Sequence, residues 1–582
     1  MKFLRNFLAC CLALILFFFI LFVLPFGILL FSLTTSSQSK SFSEGSVLHL
    51  DLSGEIRDLK KQDNPLIWLD DTYQKSYYLN ELRSVLKKAS SDSSIVGISL
   101  TAENLNSGYA TLSEVRQYLE EFKKSGKFIY AYSGNYSQAN YFLASVADSI
   151  FLNPVGSLQF KGFSTTAMFY KGFLDKVGVD MQVVKVGAYK SFTEKFSSDS
   201  MSVENRAQTE LLSRTIWNSV LDDISKSRYR SVEVLNQYAD ELLYFDTPQE
   251  LVEKGMIDVV CYKDEYLEIL KKRARTESLE LVKYKDFLPE TQSFYEPNIS
   301  LGGSEIIEVI CAEGEIDGFS EDGIDSEKCA ERIMACGDDS NVQAIVLRVN
   351  SPGGSAYGAE QIWRAVKCAR KNKPVIVSMG DYAASGGYYI STAANYIVAN
   401  PATITGSIGV FSVIPSLDSL AKKLGVSVES VNTNEHSNFG STLLVPMSDE
   451  VRQKMQKYTE FVYDTFLQRC AEGRNLSIDS VKSLAEGRVW SGQSAYELGL
   501  VDKLGTLEDA ISLAVDKAGL TNYSVRFHTE DLDFLQSLKE EFMLRQKKLG
   551  IDIVFSKENA NFEQFKSIDR QQALIPFQYE IK

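Results

Sequence analysis

Two glycine-rich stretches in the second half of the chain carry residue types suited to acyl-transfer chemistry. The first, Arg348-Val-Asn-Ser-Pro-Gly-Gly-Ser355, follows an apolar run typical of a β-strand. Its glycines let backbone N–H groups approach a ligand closely and donate to an oxyanion. The second, Gly380-Asp-Tyr-Ala-Ala-Ser385-Gly-Gly-Tyr388, places Ser385 among small residues before a short apolar run that fits a helix. Each stretch alone also fits an ordinary turn or tight packing, but their order predicts a nucleophile and oxyanion donors in one crevice at a sheet end.

The general base that we predict for Ser385 is a lysine, because the chain is poor in histidine. Its only histidines are His49, His436 and His528. The second of these lies in a polar stretch typical of a surface loop. Lys190 instead lies among aromatic residues, Tyr189, Phe192 and Phe196. Burial among such side chains lowers the pKa of a lysine, which can then accept a proton as a neutral amine. A solvent-exposed lysine without chemistry is the alternative at this position.

An internal repeat relates the two halves of the chain. Residues Tyr141–Pro154 align without gaps on a stretch that lies 247 residues further along, and two other stretches keep the same offset. A period of this length indicates a duplicated domain rather than a solenoid. The offset places Gln138 at the position of Ser385 and Ser437 at the position of Lys190. Each half therefore holds a chemical group that the other lacks.

The alternation of β-rich and helical stretches predicts an α/β fold, with a parallel sheet and crossover helices in each half. We expect tandem duplicated domains that follow an N-terminal transmembrane helix. The predicted regions are a cytoplasmic stub, anchor and linker over 1–45, a lysine-bearing half over 46–300, a serine-bearing half over 301–524 and a charged extension over 525–582. The extension is interpreted as surface helix or partly disordered chain without chemistry.

The N-terminal segment has the pattern of a membrane anchor. From Phe7 to Leu33 the chain contains no charged residue. This uncharged run is longer than the roughly 20 residues that a helix needs to span a bilayer. Lys2 and Arg5 precede this run, so the positive-inside rule predicts a cytoplasmic N-terminus and an exported body. The alternative is a long signal peptide that is cut near Ser37. Both interpretations export the rest of the chain.

Composition restricts the class of protein further. The 582 residues include 61 Lys+Arg and 76 Asp+Glu, for a net charge of −15, so nucleic acid is not an expected partner. Hydrophobic residues at 45% and charged residues at 24% are typical of a globular protein. Outside the apolar run the cysteines have no metal-ligand spacing, and we expect mostly free thiols: Cys261, Cys311, Cys329, Cys336, Cys368 and Cys470.

Four motifs together resemble a known protease family. They are Val349-Asn-Ser-Pro-Gly-Gly-Ser355, Ala383-Ala-Ser-Gly-Gly-Tyr388, Thr405-Gly-Ser-Ile-Gly409 and Tyr189-Lys-Ser191. The chain resembles the long, two-half form of the signal peptide peptidase A family, also called protease IV, which is related in fold to the Clp protease and crotonase group. The resemblance covers the predicted anchor and both halves, and leaves only the C-terminal extension outside.

The resemblance implies a role for each site residue. Ser385 would be the nucleophile and Lys190 the general base of a Ser/Lys dyad, while Ser407 would orient the lysine. The backbone N–H groups of Gly353, Gly354 and Gly386 would form the oxyanion hole. The two halves would therefore build one active site between them.

The resemblance also implies a function and a setting. We expect a membrane-anchored serine endopeptidase that degrades released signal peptides and other apolar peptides through an acyl-enzyme, without metal or organic cofactor. It would be a homotetramer in the bacterial inner membrane, with its catalytic body periplasmic or otherwise extracytoplasmic. Two alternatives remain: a non-catalytic membrane-anchored scaffold of the same fold, and a crotonase-type enzyme, which an exported body disfavours because acyl-CoA is cytosolic.

Overall fold

The computed structural model describes residues 42–58, 76–288, 305–318, 323–528 and 572–574. The predicted anchor, Phe7–Leu33, lies outside these residues. In the part of the chain that is described, no helix has both the length and the apolar character needed to cross a membrane.

Strands and helices alternate along the described chain, as expected for an α/β protein. The strands are β1 (Ser46–Arg57), β2 (Ser76–Tyr78), β3 (Ile95–Leu105), β4 (Phe128–Ser133), β5 (Ser149–Leu152), β6 (Asp180–Val186), β7 (Val259–Val260), β8 (Leu281–Lys283), β9 (Ile306–Glu313), β10 (Val342–Ser351), β11 (Gly353–Ser355), β12 (Val375–Ala384), β13 (Tyr396–Ala399), β14 (Ile404–Gly406), β15 (Val410–Ser416), β16 (Val489–Ser491), β17 (Lys503–Leu504), β18 (Ser524–Phe527) and β19 (Gln572–Leu574).

The α-helices are named in the same way. They are α1 (Leu79–Ser91), α2 (Tyr109–Lys123), α3 (Gln138–Ala144), α4 (Lys171–Val177), α5 (Glu194–Ser197), α6 (Val203–Arg228), α7 (Val232–Asp240), α8 (Pro248–Glu253), α9 (Lys263–Ala274), α10 (Tyr284–Phe287), α11 (Ser326–Asp338), α12 (Ala356–Ala369), α13 (Gly386–Ser391), α14 (Asp418–Lys423), α15 (Asp449–Arg474), α16 (Ile478–Leu484), α17 (Gly492–Glu497) and α18 (Leu507–Ala518).

Each half of the chain is built on its own sheet. The first has the order β2-β1-β3-β4-β5-β7, with β8 also paired to β1, and all its strands are parallel. The second has the order β16-β14-β12-β10-β9-β18, and β13 joins β12 to β17. It is parallel except at the β14–β16 pair. The α/β prediction is confirmed, and the second sheet extends to Phe527, slightly beyond the predicted boundary at 524.

The duplication is visible in the positions where the elements begin. The first residues of α1 and α11, of β3 and β10, of α2 and α12, of β4 and β12, and of β5 and β13 are each 247 positions apart. Strand β4 leads to Gln138 in the first half, and its counterpart β12 leads to Ser385 in the second. The two halves thus present equivalent sheet ends, of which one carries the serine.

A small third sheet joins the halves and departs from the repeat. Strand β6 follows helix α4 in the first half, whereas β15 precedes helix α14 in the second. These two strands pair antiparallel, from Val186 opposite Val410 to Asp180 opposite Ser416. The pairing brings the loop that follows β6 beside the loop that precedes β15. Lys190 lies in the first of these loops and Ser407 in the second.

A buried polar network also fixes the first half against the second. The guanidinium of Arg348, on β10, donates to Asp58 Oδ1 at 2.9 Å and to Glu114 Oε1 at 2.6 Å, and all three side chains are buried. Burial outweighs the attraction of Arg348 and raises the pKa of Glu114 to about 7. Asp381, on β12, accepts hydrogen bonds from Thr111 N at 3.0 Å and Thr111 Oγ1 at 2.6 Å. Helix α2 is therefore held against the two strands that lead to the glycine turn and to Ser385.

Candidate active site

Ser385 occupies a sharp turn between strand β12 and helix α13. Its φ of 54° lies in a region that serine rarely adopts, and its N–H donates to Gly406 O at 2.8 Å. A Cβ on Gly387 would lie 2.6 Å from Ser351 O, so the second glycine after the serine lets α13 pack against the end of β10. The turn directs Ser385 to the sheet end that the sequence predicts, ahead of a short helix.

The loop that carries Lys190 is held mainly by groups from outside it. Tyr189 N donates to Glu486 O at 2.8 Å, and Gln208 Nε2, from helix α6, donates to Tyr189 O at 3.0 Å. Gly487 has a φ of +77°, and a Cβ there would lie 2.6 Å from Lys190 Cβ. The second half therefore contributes a close-packed wall that fixes the path of a first-half lysine.

The side chain of Lys190 reaches Ser385 and Ser407. Its Nζ lies 2.7 Å from Ser385 Oγ, 3.0 Å from Ser407 O and 3.1 Å from Ser407 Oγ. All three residues are fully buried. The structure thus brings together the three residues that are predicted to act as nucleophile, base and orienting residue.

Burial governs the electrostatics of Lys190. Removal of the ammonium from water lowers the pKa of Lys190 well below its ordinary value. The ring of Phe411 has its centroid 6.0 Å from Nζ, and Phe192 stacks on this ring at 4.9 Å. Burial therefore favours the uncharged amine, which is the form that a general base needs.

The aromatic neighbours of Lys190 differ from the expected ones. Phe192 and Phe196 hold the amine of Lys195, at 4.0 and 4.9 Å from their ring centroids. The lysine at 190 instead faces Phe411, a residue of the second half. Sequence neighbours alone do not predict this contact, because it arises from the pairing of β6 with β15.

The glycine turn offers two closely spaced candidates for the oxyanion hole. Gly354 has a φ of +149°, and a Cβ there would lie 2.2 Å from Ile316 O, so only glycine fits. A Cβ on Gly386 would lie 3.2 Å from Gly354 N, which shows how closely the turn approaches the start of α13. Gly353 differs from expectation, because its N–H donates to Ser351 Oγ at 3.2 Å. Gly354 and Gly386 are therefore the better candidates.

The equivalent position in the first half has no nucleophile. Gln138 Oε1 accepts hydrogen bonds from Lys161 N at 3.0 Å and Gly162 N at 2.9 Å, and its Nε2 donates to Tyr109 Oη at 3.3 Å. The counterpart of Lys190, Ser437, is exposed. The two halves thus share one scaffold, but the pair of a buried serine and a buried lysine at these positions occurs once, with Ser385 in the second half and Lys190 in the first.

Two supporting residues give no signal in the sequence. Gln208 donates to Ser191 Oγ as well as to Tyr189 O, and its own Oε1 accepts from Val489 N at 3.1 Å. Ile316 N donates to Gly353 O at 2.9 Å and supports the glycine turn. Both act through long-range contacts that spacing along the chain does not reveal.

A family model and several relatives of known name point to the same protein family. The family model "Peptidase family S49" matches residues 121–277 and 367–521, one segment in each half. "Protease 4" of Salmonella typhi is 34% identical, over 89% of this chain and 85% of that protein. "Serine protease SPPA, chloroplastic" of Arabidopsis thaliana is 32% identical, over 82% of this chain and 70% of that protein. A solved structure of a ClpP1 mutant from Listeria monocytogenes is 16% identical, covers 35% of this chain and 94% of its own, and gives a TM-score of 0.24.

Fold, site and relatives define a serine-type peptidase made of two copies of one α/β domain. The chain belongs to peptidase family S49. The predicted resemblance to protease IV and the predicted duplication are both confirmed.

Proposed function

We propose that this protein is a membrane-anchored endopeptidase that cleaves apolar peptides with a Ser/Lys dyad shared between its halves. The observation that carries the proposal is the 2.7 Å distance between Lys190 Nζ and Ser385 Oγ. The two residues lie 195 positions apart in the sequence, and both are buried. A buried, neutral amine at hydrogen-bond distance from a strained serine is the arrangement that nucleophile activation requires.

Lys190 begins the reaction as a neutral amine. Its two N–H groups donate to Ser407 O and Ser407 Oγ, so its lone pair faces Ser385 and accepts the hydrogen bond from the Ser385 hydroxyl. As Ser385 Oγ attacks the scissile carbonyl carbon, its proton moves to Lys190 Nζ. Ser407 is thus a positioning residue that directs the lone pair of the base.

The oxyanion and the leaving group are handled by the same few groups. Negative charge develops on the carbonyl oxygen, which the N–H groups of Gly354 and Gly386 stabilise. Collapse of the tetrahedral intermediate breaks the C–N bond, and the leaving amine takes the proton from Lys190. A water molecule then attacks the Ser385 ester with Lys190 again as base, which releases the carboxylic acid and restores the serine.

We propose released signal peptides as the substrate class, in agreement with the family resemblance. Apolar side chains lie beside the dyad and the glycine turn, namely Phe411, on which Phe192 stacks, and Ile316, whose Cδ1 would lie 3.2 Å from a Cβ on Gly386. Such walls favour apolar peptide side chains over charged ones. The apolar run Phe7–Leu33 would anchor the enzyme in the inner membrane with its body outside the cytoplasm, close to the place where signal peptides are released.

We further propose a homotetramer, and the repeat supports association between copies. The first-half counterpart of β15, residues 163–169, has alternating exposure but no strand partner in the described chain. The second-half counterpart of β6, residues 427–433, is exposed and equally without a strand partner there. Pairing of these segments between neighbouring copies would reproduce the β6–β15 contact and could close a ring. Light scattering should show a smaller assembly for Val428→Pro than for the parent chain.

Peptide hydrolysis tests the catalytic proposal. Full-length protein in detergent should cleave a quenched apolar signal-peptide substrate, and Ser385→Ala and Lys190→Ala should each lose this activity. Matched controls are Ser391→Ala, a buried serine on α13, and Lys195→Ala, a partly buried lysine on α5, the helix that follows Lys190. Loss in the first pair alone supports the dyad. Wild-type protein that is folded but inert towards many peptides would instead favour the non-catalytic scaffold.

A further inference from the structure

A strand from the C-terminal extension lies beside the dyad. Strand β19 pairs antiparallel with β11, with Ala573 opposite Gly354, and Gln572 also pairs with Phe411 of β15. The third sheet therefore has the order β11-β19-β15-β6. Within that sheet, the glycine turn and the strand that follows Ser407 are joined through this short piece of the extension, for which the sequence predicts no chemistry.

The position of β19 is the one that a peptide substrate needs. Proteins that recognise extended peptides commonly add the peptide as a strand to an exposed sheet edge. Here the edges of β11 and β15 face each other across β19, and β19 also contacts helix α13, which begins directly after Ser385. Ser385 and Lys190 are both fully buried. An external peptide that added to the edges of β11 and β15 would have to take the place of this strand.

The chemistry of the extension around β19 suits an apolar groove. The stretch Gln571–Tyr579 contains no charged residue, although Asp569 and Arg570 come directly before it and Glu580 directly after. An uncharged stretch within a charged extension is the part best suited to lie against the apolar walls of the site. Backbone pairing with β11 and β15 adds affinity that does not depend on side-chain identity.

We propose that the C-terminal extension is an intramolecular inhibitor, in which β19 occupies the peptide groove and must be displaced before a substrate binds. This inference rests on the proposed function of the same site. A tethered segment competes at a high effective concentration, even when its intrinsic affinity is modest. Inhibition of this kind is competitive, so it raises the apparent KM for peptides and leaves kcat unchanged.

The test uses a proline in the full chain. Ala573→Pro removes a backbone N–H and fixes φ within a strand that has neighbours on both sides, which disfavours the pairing. Ala560→Pro is the matched control, because it makes the same substitution in the extension outside the strand. We expect Ala573→Pro to lower the apparent KM by about tenfold or more, with kcat unchanged. The rate of fluorophosphonate labelling of Ser385 should rise by a similar factor, and Ala560→Pro should match wild type.

Addition of the inhibitor as a separate peptide completes the test. A synthetic peptide of residues 568–578 should inhibit the Ala573→Pro protein competitively, and the same peptide with proline at 573 should be weaker. Equal KM values and equal labelling rates for wild type and Ala573→Pro would overturn the inhibitor role while leaving the proposed function intact. Intact-mass measurements that show a shortened wild type beside a full-length Ser385→Ala protein would also overturn it, because the extension would then be a substrate. If no variant hydrolyses peptide or is labelled, the proposed function itself fails.

Discussion

Replacement of Lys190 by methionine should change how the stability of the protein depends on pH. Methionine keeps the unbranched apolar stem but has no amine. In the folded protein burial lowers the pKa of Lys190 well below its ordinary value, whereas in the unfolded chain the amine has the ordinary value of 10.5. Between these two pKa values the unfolded state binds one more proton than the folded state. Folding must therefore expel a proton, and this cost grows as the pH falls.

The size of the effect follows from linkage. The free energy of unfolding of the wild type should rise by about 1.4 kcal/mol per pH unit from this one group as the pH approaches 10.5. Lys190→Met removes that slope. The substitution also removes the hydrogen bonds from Nζ to Ser385 and Ser407. Leaving a buried acceptor without a partner lowers the free energy of unfolding by about 1–3 kcal/mol. The difference in stability between the two proteins should thus shift in favour of the variant as the pH falls from 10 to 8.

The assay is urea unfolding of the full-length protein in detergent at pH 8, 9 and 10, followed by tryptophan fluorescence. Wild type and variant share all other titrations, so the difference between them isolates Lys190. Lys422→Met, at an exposed lysine on α14, is the control and should leave the wild-type pH slope unchanged. Parallel pH slopes for wild type and Lys190→Met would refute the reasoning, because the amine would then be charged in the folded state and unable to act as a base.

Three further predictions concern the surroundings of the dyad. Glu114→Gln should gain stability relative to wild type as the pH rises from 5 to 8, by up to about 3 kcal/mol in urea unfolding. The reason is that burial raises the pKa of Glu114 from 4.5 to about 7, so its ionised form is disfavoured in the folded protein. A difference in stability between the two proteins that did not change with pH would contradict this. Ser407→Ala should lower kcat about 10–100-fold with little change in KM and should shift the acid limb of the pH–rate profile, since Ser407 orients the base; unaltered kinetics would exclude that role. Gly354→Ala should abolish hydrolysis and lower the melting temperature, because its Cβ would lie 2.2 Å from Ile316 O; an active, equally stable variant would contradict the close packing of the turn.

The sequence predicts the parts of the site that are local or repeated. Ser385 and its glycines follow from a strand, a turn and a helix that are contiguous in the chain. Lys190 becomes a candidate because it lies among aromatic residues and because the repeat places Ser437 rather than a lysine at the equivalent position, while Gln138 stands where Ser385 lies in the other half. The α/β sheets follow from the alternation of apolar strands and helices.

The sequence does not predict the features that depend on departure from the repeat. Strands β6 and β15 pair although they are not equivalent under the 247-residue offset, so the contact of Lys190 with Phe411 has no signal in either half. The N–H of Gly353 bonds to Ser351 Oγ, which depends on the detailed path of the turn. Strand β19 has three residues and pairs through its backbone, so it leaves no periodic pattern in a charged extension.

The most direct test of the shared dyad is fluorophosphonate labelling of the full-length protein, mapped by mass spectrometry. A serine activated by a neutral lysine should form a single adduct on the peptide that contains Ser385. We expect this adduct in wild type and in the Ser391→Ala control, and its absence in Ser385→Ala and Lys190→Met, with all four proteins folded. An equal extent of labelling in Lys190→Met, or an adduct on another serine, would contradict a nucleophile of the second half that is activated by a base of the first.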